Sequence, residues 1–244
     1  MATILCNGVR FDAIEAIIFD KDGTLANSRP YLRVLGEKRA SFVDAMVPNL
    51  KSEILTAFGC DQNQIDPAGF LAVGTREENE IAIANLITEK GYDWGKARSI
   101  VQSAFQHADH QLPRKATLTP PFAGITDLVR CLHRAPRSLK LGILSSDIEA
   151  NIRDFVDRYQ LSPYFQEIVG AQSGISKPNP KLLDLICEAL DVQPEAALMI
   201  GDTIADTKLT PRSIGVTWGG STIAQLIDAA AIAHHPIDIQ LSNL

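Results

Sequence analysis

The stretch IIFDKDGTLANS at residues 17–28 decides the fold. Its apolar start leads directly into two aspartates, Asp20 and Asp22, which are one residue apart. A buried strand rarely ends on charged residues unless those charges have a partner or a chemical task. The rest of the chain is therefore expected to supply groups that meet these two carboxylates.

Three further short apolar runs also stop on polar or glycine residues. They are LKLGILSS with Ser145, AALMIGD with Asp202, and SIGVTWGG with Gly220. Runs this short and this apolar are typical of strands that are covered on both faces. The segments 148–160 and 180–190 between them have the apolar period of amphipathic helices. Alternating strands and helices predict right-handed crossovers and a mainly parallel sheet.

The amino-terminal segment and the long segment after Ser28 have different patterns. In TILC-NG-VRF, Asn7-Gly8 separates two short alternating runs, which predicts a β-hairpin because both turn residues must tolerate positive φ. Residues 29–118 have helical patterns and no convincing strand, so we expect an inserted all-helical cap domain. The remaining residues, 1–28 and 119–244, are expected to form a Rossmann-like α/β core.

Composition limits the classes of function. The chain has 244 residues, 45% hydrophobic and 21% charged, which is ordinary for a globular protein. Its formal net charge of −6 argues against a nucleic-acid partner. The four cysteines have no metal-ligand spacing and are predicted to be free thiols. With no apolar stretch long enough for a membrane span and no signal-peptide pattern, we expect no membrane partner and a cytoplasmic location.

The polar residues at the strand ends are expected to meet in one crevice. In an open parallel sheet, ligands bind beyond the carboxyl ends of the strands, where the strand order reverses. Carboxylates with a lysine, and with no histidine or cysteine nearby, are hard oxygen ligands that suit Mg²⁺ shared with a substrate phosphate. The expected group is Asp20, Asp22, Ser145, Lys177, Asp202 and Asp206.

The residue types in this group suggest roles in phosphoryl transfer. Asp20 is expected to attack phosphorus and form an aspartyl-phosphate, with Asp22 as general acid and then general base. Ser145 supplies a hydroxyl donor for a phosphoryl oxygen, and Lys177 supplies a positive charge. Asp202 is placed to bind metal, while Asp206 either takes a metal-bound water or orients Lys177.

Neighbouring residues are candidates for contacts with substrate. Gly23, Thr24 and Ser146 lie beside the predicted catalytic groups. In the predicted cap, AVGTREENE at 72–80 has the pattern of a loop that opens a helix. Arg76 in that segment is expected either to meet a substrate carboxylate or to lie at a solvated helix start.

The motifs and their order resemble those of a known family. DKDGT at 20–24, the strand that ends at Ser145, Lys177 in KPNP, and GDTIAD at 201–206 resemble the four motifs of the haloacid dehalogenase-like (HAD) hydrolase superfamily. The predicted cap resembles the C1 cap of the phosphoglycolate phosphatase-like subgroup. The resemblance implies a Mg²⁺-dependent phosphatase that acts on a small phosphorylated metabolite, such as phosphoglycolate or a sugar phosphate. The metal ligands that it implies are Asp20, Asp22 through its backbone carbonyl, and Asp202. Asp206 is a further candidate metal residue from its place in GDTIAD.

Two departures from the family pattern and two alternatives accompany this interpretation. The lead before Asp20 is long, and the segment 206–216 is short and contains Pro211, which predicts a helix of about one turn after the fourth motif. One alternative is a phosphosugar mutase on the same scaffold. The other is a catalytically inactive regulatory or binding protein with the same fold. Either a monomer or a homodimer is compatible with the sequence.

Overall fold

The computed structural model describes residues 1–61, 64–66, 69–134 and 139–242, and they form two compact units. The core comprises Met1–Asn27 and Thr119–Leu244, and the insert comprises Ser28–Leu118. The strands are β1 (Ala2–Cys6), β2 (Val9–Ile14), β3 (Ala16–Phe19), β4 (Cys60–Asp61), β5 (Gln64–Ile65), β6 (Lys140–Leu144), β7 (Glu167–Val169), β8 (Ala197–Gly201), β9 (Ser213–Val216), β10 (Ala231–Ala233) and β11 (Ile239–Leu241). The helices are α1 (Arg29–Met46), α2 (Lys51–Ala57), α3 (Phe70–Val73), α4 (Arg76–Glu89), α5 (Trp94–His110), α6 (Ile125–His133), α7 (Glu149–Arg158), α8 (Pro180–Ala189) and α9 (Ile204–Thr207).

The main sheet of the core has six parallel strands in the order β10-β9-β8-β3-β6-β7. This confirms the predicted α/β fold with a mainly parallel sheet. Strand β3 lies in the middle and is fully buried on both faces, which explains its uninterrupted apolar sequence. The chain builds outward from β3 to β6 and β7 and then returns to β8 on the other side. The strand order therefore reverses at β3.

The helices beside this sheet follow the predicted pattern. Helices α7 and α8 occupy the two segments with a helical apolar period. Leu182, Leu183 and Ile186 of α8 pack with Ile18 of β3 and Met199 of β8 in one apolar cluster. Helix α9 is only four residues long, as the short segment with its proline predicted.

A second, three-stranded antiparallel sheet has the order β11-β1-β2. The predicted hairpin is confirmed: Asn7 and Gly8 join β1 to β2 with φ values of 45° and 86°. The sequence analysis did not anticipate that β11 pairs with β1, with Ile4 opposite Leu241. Strands β7, β10 and β11 each have three residues, which is too short for a clear alternating pattern.

The insert has its own apolar core, formed by α1, α2, α4 and α5. Its fully buried side chains include Val43, Ile54, Ile83, Val101 and Phe105. Helix α4 begins with a capping box, in which Thr75 and Glu78 each accept a hydrogen bond from the other's backbone N–H. The insert also contains a short antiparallel ladder between β4 and β5. It is therefore not entirely helical, which corrects that detail of the expectation.

The two ends of the insert leave the core side by side. The N–H of Asn27 donates to the carbonyl of Pro120 over 2.8 Å, and Phe122 N–H donates to the carbonyl of Leu25 over 3.1 Å. Ala26 also forms an isolated β-bridge with Pro121. Backbone hydrogen bonds within the core thus close the point at which the insert begins and ends.

Two findings concern the chemical setting of the chain. All four cysteines are free, as predicted from their spacing. Within the part of the chain that the structure describes, no helix has both the length and the apolar character required to cross a membrane. Neither finding involves the polar residues that follow the central strands of the main sheet.

Candidate active site

Three neighbouring strands carry polar residues at their carboxyl ends. Asp20 follows β3, Ser145 follows β6 and Asp202 follows β8. The N–H of Asp20 donates to the carbonyl of Ile200 over 2.9 Å, which ties the end of β3 to that of β8. This is the point at which the strand order reverses, where open parallel sheets bind their ligands.

Three buried carboxylates lie together at this point. Asp20, Asp202 and Asp206 each offer an oxygen, and these oxygens lie within 4.8 Å of one another. The exposed fractions of the three residues are 5%, 6% and 0%. A group of carboxylates that includes no histidine or cysteine is suited to a hard divalent cation.

Lys177 connects two of these carboxylates. Its ammonium nitrogen lies 2.5 Å from Asp20 Oδ1 and 2.6 Å from Asp206 Oδ1, and it also donates to the carbonyl of Leu144 over 3.4 Å. The Lys177 side chain is only 6% exposed. The lysine is therefore a fixed positive charge inside the cluster.

Asp206 is held through both of its carboxylate oxygens. While Oδ1 accepts from Lys177, Oδ2 accepts from the Thr203 hydroxyl over 2.6 Å and from the Thr203 N–H over 3.1 Å. Thr203 and Asp206 thereby form the capping box of the short helix α9. Of the roles considered for Asp206, this arrangement favours orienting Lys177 or accepting a hydrogen bond from a metal-bound water.

The electrostatics of the cluster indicate a shortage of positive charge. Burial raises the pKa of Asp20 to about 7, although the Lys177 ammonium acts to lower it. Burial and the nearby Asp20 and Asp206 carboxylates raise the pKa of Asp202 well above its usual value. Burial also acts to lower the pKa of Lys177, but Asp20 and Asp206 outweigh it and raise that pKa. One lysine thus cannot neutralise three carboxylates, and a divalent cation fits the remaining charge.

Two glycines leave room for the Asp202 carboxylate. A Cβ atom at Gly23, where φ is 89°, would lie 2.1 Å from Asp202 Oδ2, and one at Gly219 would lie 2.4 Å from the same oxygen. Thr24 donates its hydroxyl to Asp202 Oδ1 over 3.3 Å. The backbone therefore approaches this carboxylate so closely that only glycine fits at these two positions.

Ser145 and Ser146 differ in their placement. Ser145 is 4% exposed, and its Oγ accepts a hydrogen bond from the N–H of Asp147 over 3.2 Å. Its hydroxyl hydrogen can then be donated to a ligand. Ser146 is exposed. Of the two serines, Ser145 is thus the one that lies in the buried part of the site.

Asp22 lies outside the three-carboxylate cluster. Its Oδ2 lies 2.7 Å from the ammonium of Lys21, and its side chain is 29% exposed. The carboxylate of Asp22 is thus directed to Lys21 rather than to the group that could hold a metal. The expected metal contact of Asp22 through its backbone carbonyl stays a prediction.

The comparison with known families agrees with this arrangement. The family described as haloacid dehalogenase-like hydrolase matches residues 14–208, which is more than half of the chain. The chain belongs to this family. As a haloacid dehalogenase-like hydrolase, it is an enzyme whose four motifs lie on the strand ends and loops described above.

Individual relatives of this haloacid dehalogenase-like hydrolase cover most of its length. A phosphoglycolate phosphatase of Synechococcus elongatus is 28% identical over 221 residues, covering 88% of this chain and 90% of the relative. A phosphoglycolate phosphatase of Vibrio vulnificus is 22% identical over 241 residues, covering 90% of this chain and 97% of the relative. The solved structure of a predicted phosphoglycolate phosphatase from Haemophilus somnus has a TM-score of 0.66 at 16% identity. The match covers 91% of this chain and 94% of that structure. The last likeness supports the fold alone.

Arg76 lies in the insert of the hydrolase, at the start of α4. Its guanidinium pairs with Glu80 through Nε at 2.9 Å and with Asp109 through Nη1. Both acidic partners belong to the insert itself. With 48% of its side chain exposed, Arg76 lies at a solvated helix start, which was one of the two expectations. Its contact with a substrate carboxylate stays a prediction.

Several residues of the hydrolase site were not singled out from the sequence. The Nε1 of Trp218 donates to the carbonyl of Thr24 over 2.9 Å and so supports the DKDGT loop. Thr203 matches the capping-box pattern with Asp206, a signal that the sequence does contain. Lys21 and Asp147 form an ion pair at 2.9 Å that no local pattern predicts.

Replacement of Gly219 by Ala tests the close approach to Asp202. We expect the affinity for Mg²⁺ to fall by about tenfold or more, because the added Cβ displaces the Asp202 carboxylate or the backbone around it. The midpoint of a Mg²⁺ titration, followed by thermal unfolding, measures this effect. Gly95→Ala is the matched control because its Cβ would meet no atom closer than 3.4 Å. An unchanged midpoint in Gly219→Ala would contradict the prediction.

Proposed function

We propose that this enzyme, a phosphoric monoester hydrolase, is a Mg²⁺-dependent phosphatase that acts through an aspartyl-phosphate on Asp20. The observation that carries the proposal is the bridging of Asp20 and Asp206 by Lys177 within a buried cluster of carboxylates. Such a site combines a nucleophile with positive charge, which is what transfer of a phosphoryl group requires. Relatives that cover most of the chain are named as phosphoglycolate phosphatases, which supports the same reaction class.

The donor set of the site fits Mg²⁺. The side chains of Asp20 and Asp202 would hold the ion, with Asp206 nearby and the backbone carbonyl of Asp22 as the further ligand that the family resemblance implies. The glycines at 23 and 219 keep the approach to Asp202 open. When bound, Mg²⁺ supplies positive charge that offsets the repulsion between the phosphoryl oxygens and the carboxylates.

The first half of the reaction transfers the phosphoryl group to the enzyme. A carboxylate oxygen of Asp20 forms a bond to phosphorus while the bond from phosphorus to the ester oxygen breaks. Lys177 fixes the Asp20 carboxylate in place and neutralises charge as the phosphoryl group arrives. The Ser145 hydroxyl donates to a phosphoryl oxygen. Asp22 gives its proton to the leaving ester oxygen.

The second half of the reaction regenerates Asp20. Asp22, now a carboxylate, removes a proton from a water molecule, and the oxygen of that water attacks phosphorus. The bond between phosphorus and the Asp20 oxygen breaks, and phosphate leaves. Asp22 keeps the proton that it removed from water, which replaces the one given to the ester oxygen, so the enzyme returns to its starting state.

The pH dependence of Mg²⁺ binding follows from the raised pKa of Asp20, which is about 7 without the ion. Below this pKa the carboxyl holds a proton that Mg²⁺ must displace, and above it the carboxylate is already ionised. We therefore expect the affinity for Mg²⁺ to rise about tenfold from about pH 6 to about pH 8. The increase in Tm caused by Mg²⁺, measured at both pH values, checks the prediction. An equal or smaller increase at the higher pH contradicts it.

The substrate is proposed to be a small phosphorylated metabolite, with phosphoglycolate suggested by the names of the relatives. A screen of phosphorylated metabolites for released phosphate, with Mg²⁺ or with a chelator, tests the proposal. Phosphate release that requires both Mg²⁺ and Asp20 supports it. Conversion of β-glucose 1-phosphate to an isomeric sugar phosphate would indicate the mutase, and no turnover of any ester would indicate an inactive binding protein.

A further inference from the structure

Lys21, between the two aspartates of the first motif, is an almost fully buried lysine. Its side chain is 1% exposed, and its ammonium lies 2.7 Å from Asp22 Oδ2 and 2.9 Å from Asp147 Oδ2. The carbonyl of Lys21 accepts hydrogen bonds from the N–H groups of Leu25 and Ala26, which fold the motif into a tight turn. Both the backbone and the side chain of Lys21 are therefore held in place.

Asp147 is a rigid anchor for the Lys21 ammonium. While Oδ2 of Asp147 pairs with Lys21, Oδ1 accepts from the N–H of Ile148 over 2.9 Å and from the side-chain amide of Asn151 over 2.8 Å. The N–H of Asp147 donates to Ser145 Oγ, so the same residue also orients the serine hydroxyl. One side of the lysine is thus fixed to the start of α7.

The other side of the lysine is directed at Asp22. The Asp22 side chain keeps 29% exposure, while Lys21 has 1% and Asp147 has 12%. Asp22 therefore lies at the more exposed edge of this group, although its Oδ1 is itself buried. A carboxylate at such an edge would sample several rotamers unless a neighbour held one of its oxygens.

Stability alone does not account for this arrangement. Removing an ammonium and its carboxylate partners from water costs free energy that offsets most of their attraction. A buried ionic group does, however, select one geometry among several, and proton transfer requires the acid within hydrogen-bond reach of the ester oxygen. The ion pairs of Lys21 therefore suit the control of geometry better than the support of the fold.

We propose that Lys21, anchored by Asp147, is a positioning residue that holds the Asp22 carboxylate where it exchanges protons with the leaving oxygen and with water. The proposal rests on the proposed function, because it assigns the proton transfers to Asp22. Lys21 itself contacts neither substrate nor metal in this account. Its loss should therefore act through Asp22, and only on the steps that need a proton.

Two substrates separate this effect from a general loss of activity. An alkyl phosphate needs a proton on its leaving oxygen, whereas p-nitrophenyl phosphate releases a stable phenolate without one. The value of kcat/KM covers the steps up to departure of the leaving group. For Lys21→Met we expect kcat/KM with the alkyl phosphate to fall about 30-fold more than with p-nitrophenyl phosphate. Lys90→Met, which removes an exposed lysine paired with Glu53, is the matched control and should change neither value.

A double-mutant cycle identifies Asp22 as the mediator. Asp22→Asn should show the same dependence on the leaving group with a larger loss, and adding Lys21→Met to it should cause little further loss. If Lys21→Met does not fold, Asp147→Asn removes the anchor while keeping the pair of Lys21 and Asp22, and the same dependence should follow.

Three results would count against the proposal. An equal loss of kcat/KM for both substrates in Lys21→Met, or in Asp147→Asn, overturns the positioning role alone. The positioning role is also overturned if Lys21→Met lowers kcat/KM as much in the Asp22→Asn variant as it does in the unmodified enzyme. Absence of Mg²⁺-dependent phosphate release from either ester by the unmodified enzyme overturns the phosphatase itself, and the positioning role with it.

Discussion

Asp20→Asn is expected to lower kcat by about 10⁴-fold or more, because the amide cannot accept a phosphoryl group and the nucleophile has no substitute. The variant should remain folded. Burial raises the pKa of Asp20 to about 7, so the ionised carboxylate is costly in the folded state and a neutral amide of the same size is tolerated. Steady-state kinetics with the best ester from the screen, together with thermal unfolding, measures both quantities.

A matched control separates the loss of the nucleophile from the loss of any carboxylate. Asp127→Asn makes the same substitution at a residue whose side chain is 83% exposed, on α6. It removes only a surface ion pair with Arg130, which contributes little, and kcat should not change. Full activity in Asp20→Asn, with Asp127→Asn also active, would rule out the proposed aspartyl-phosphate.

Lys177→Met is expected to lower kcat by about 10³-fold and also to destabilise the protein. The substitution leaves Asp20 and Asp206 buried without the ammonium that now lies 2.5 and 2.6 Å from them. Breaking a buried ion pair in this way costs about 3–5 kcal/mol of the free energy of unfolding. Urea or thermal unfolding without Mg²⁺, near pH 8, measures the cost. Lys181→Met, at an exposed lysine in the first turn of α8, is the matched control.

The sign of the pH dependence gives a further check on Lys177→Met. Burial raises the pKa of Asp20 to about 7, and loss of the Lys177 ammonium raises this pKa further. Near pH 5 the Asp20 carboxyl therefore holds a proton and needs no counter-charge. The destabilisation should therefore be smaller near pH 5 than near pH 8. Adding Asp206→Asn to Lys177→Met should recover part of the stability at the higher pH. Equal destabilisation at both pH values would indicate that the lysine acts through packing alone.

The parts of the fold that the sequence predicted share a strong local signal. Strands such as β3 and β8 are short apolar runs because they are buried on both faces, and each is followed by an aspartate at the proposed ligand site. Asn7-Gly8 specified its hairpin through backbone conformation. Pro211 and the shortened segment limited the length of α9. In each case the physical cause lies within a few residues of the feature.

The parts that sequence analysis missed depend on contacts between distant segments. No local pattern singles out Lys21, and only the fold brings it to Asp147, which follows a different strand. The Trp218 indole reaches the carbonyl of Thr24 in the same way. Strand β11 has three residues and pairs with β1 from the other end of the chain. Neither apolar periodicity nor motif spacing carries information of this kind.

The closed junction at Asn27 and Pro120 has an evolutionary consequence. Because the backbone on either side of the insert is hydrogen-bonded within the core, the register of the central strands does not depend on what is spliced between them. A change in the length or sequence of the insert is therefore expected to leave the core sheet and the residues at its strand ends in place. In this sense the fold is modular: the residues of the proposed reaction centre all belong to the core, and the insert can vary without altering them.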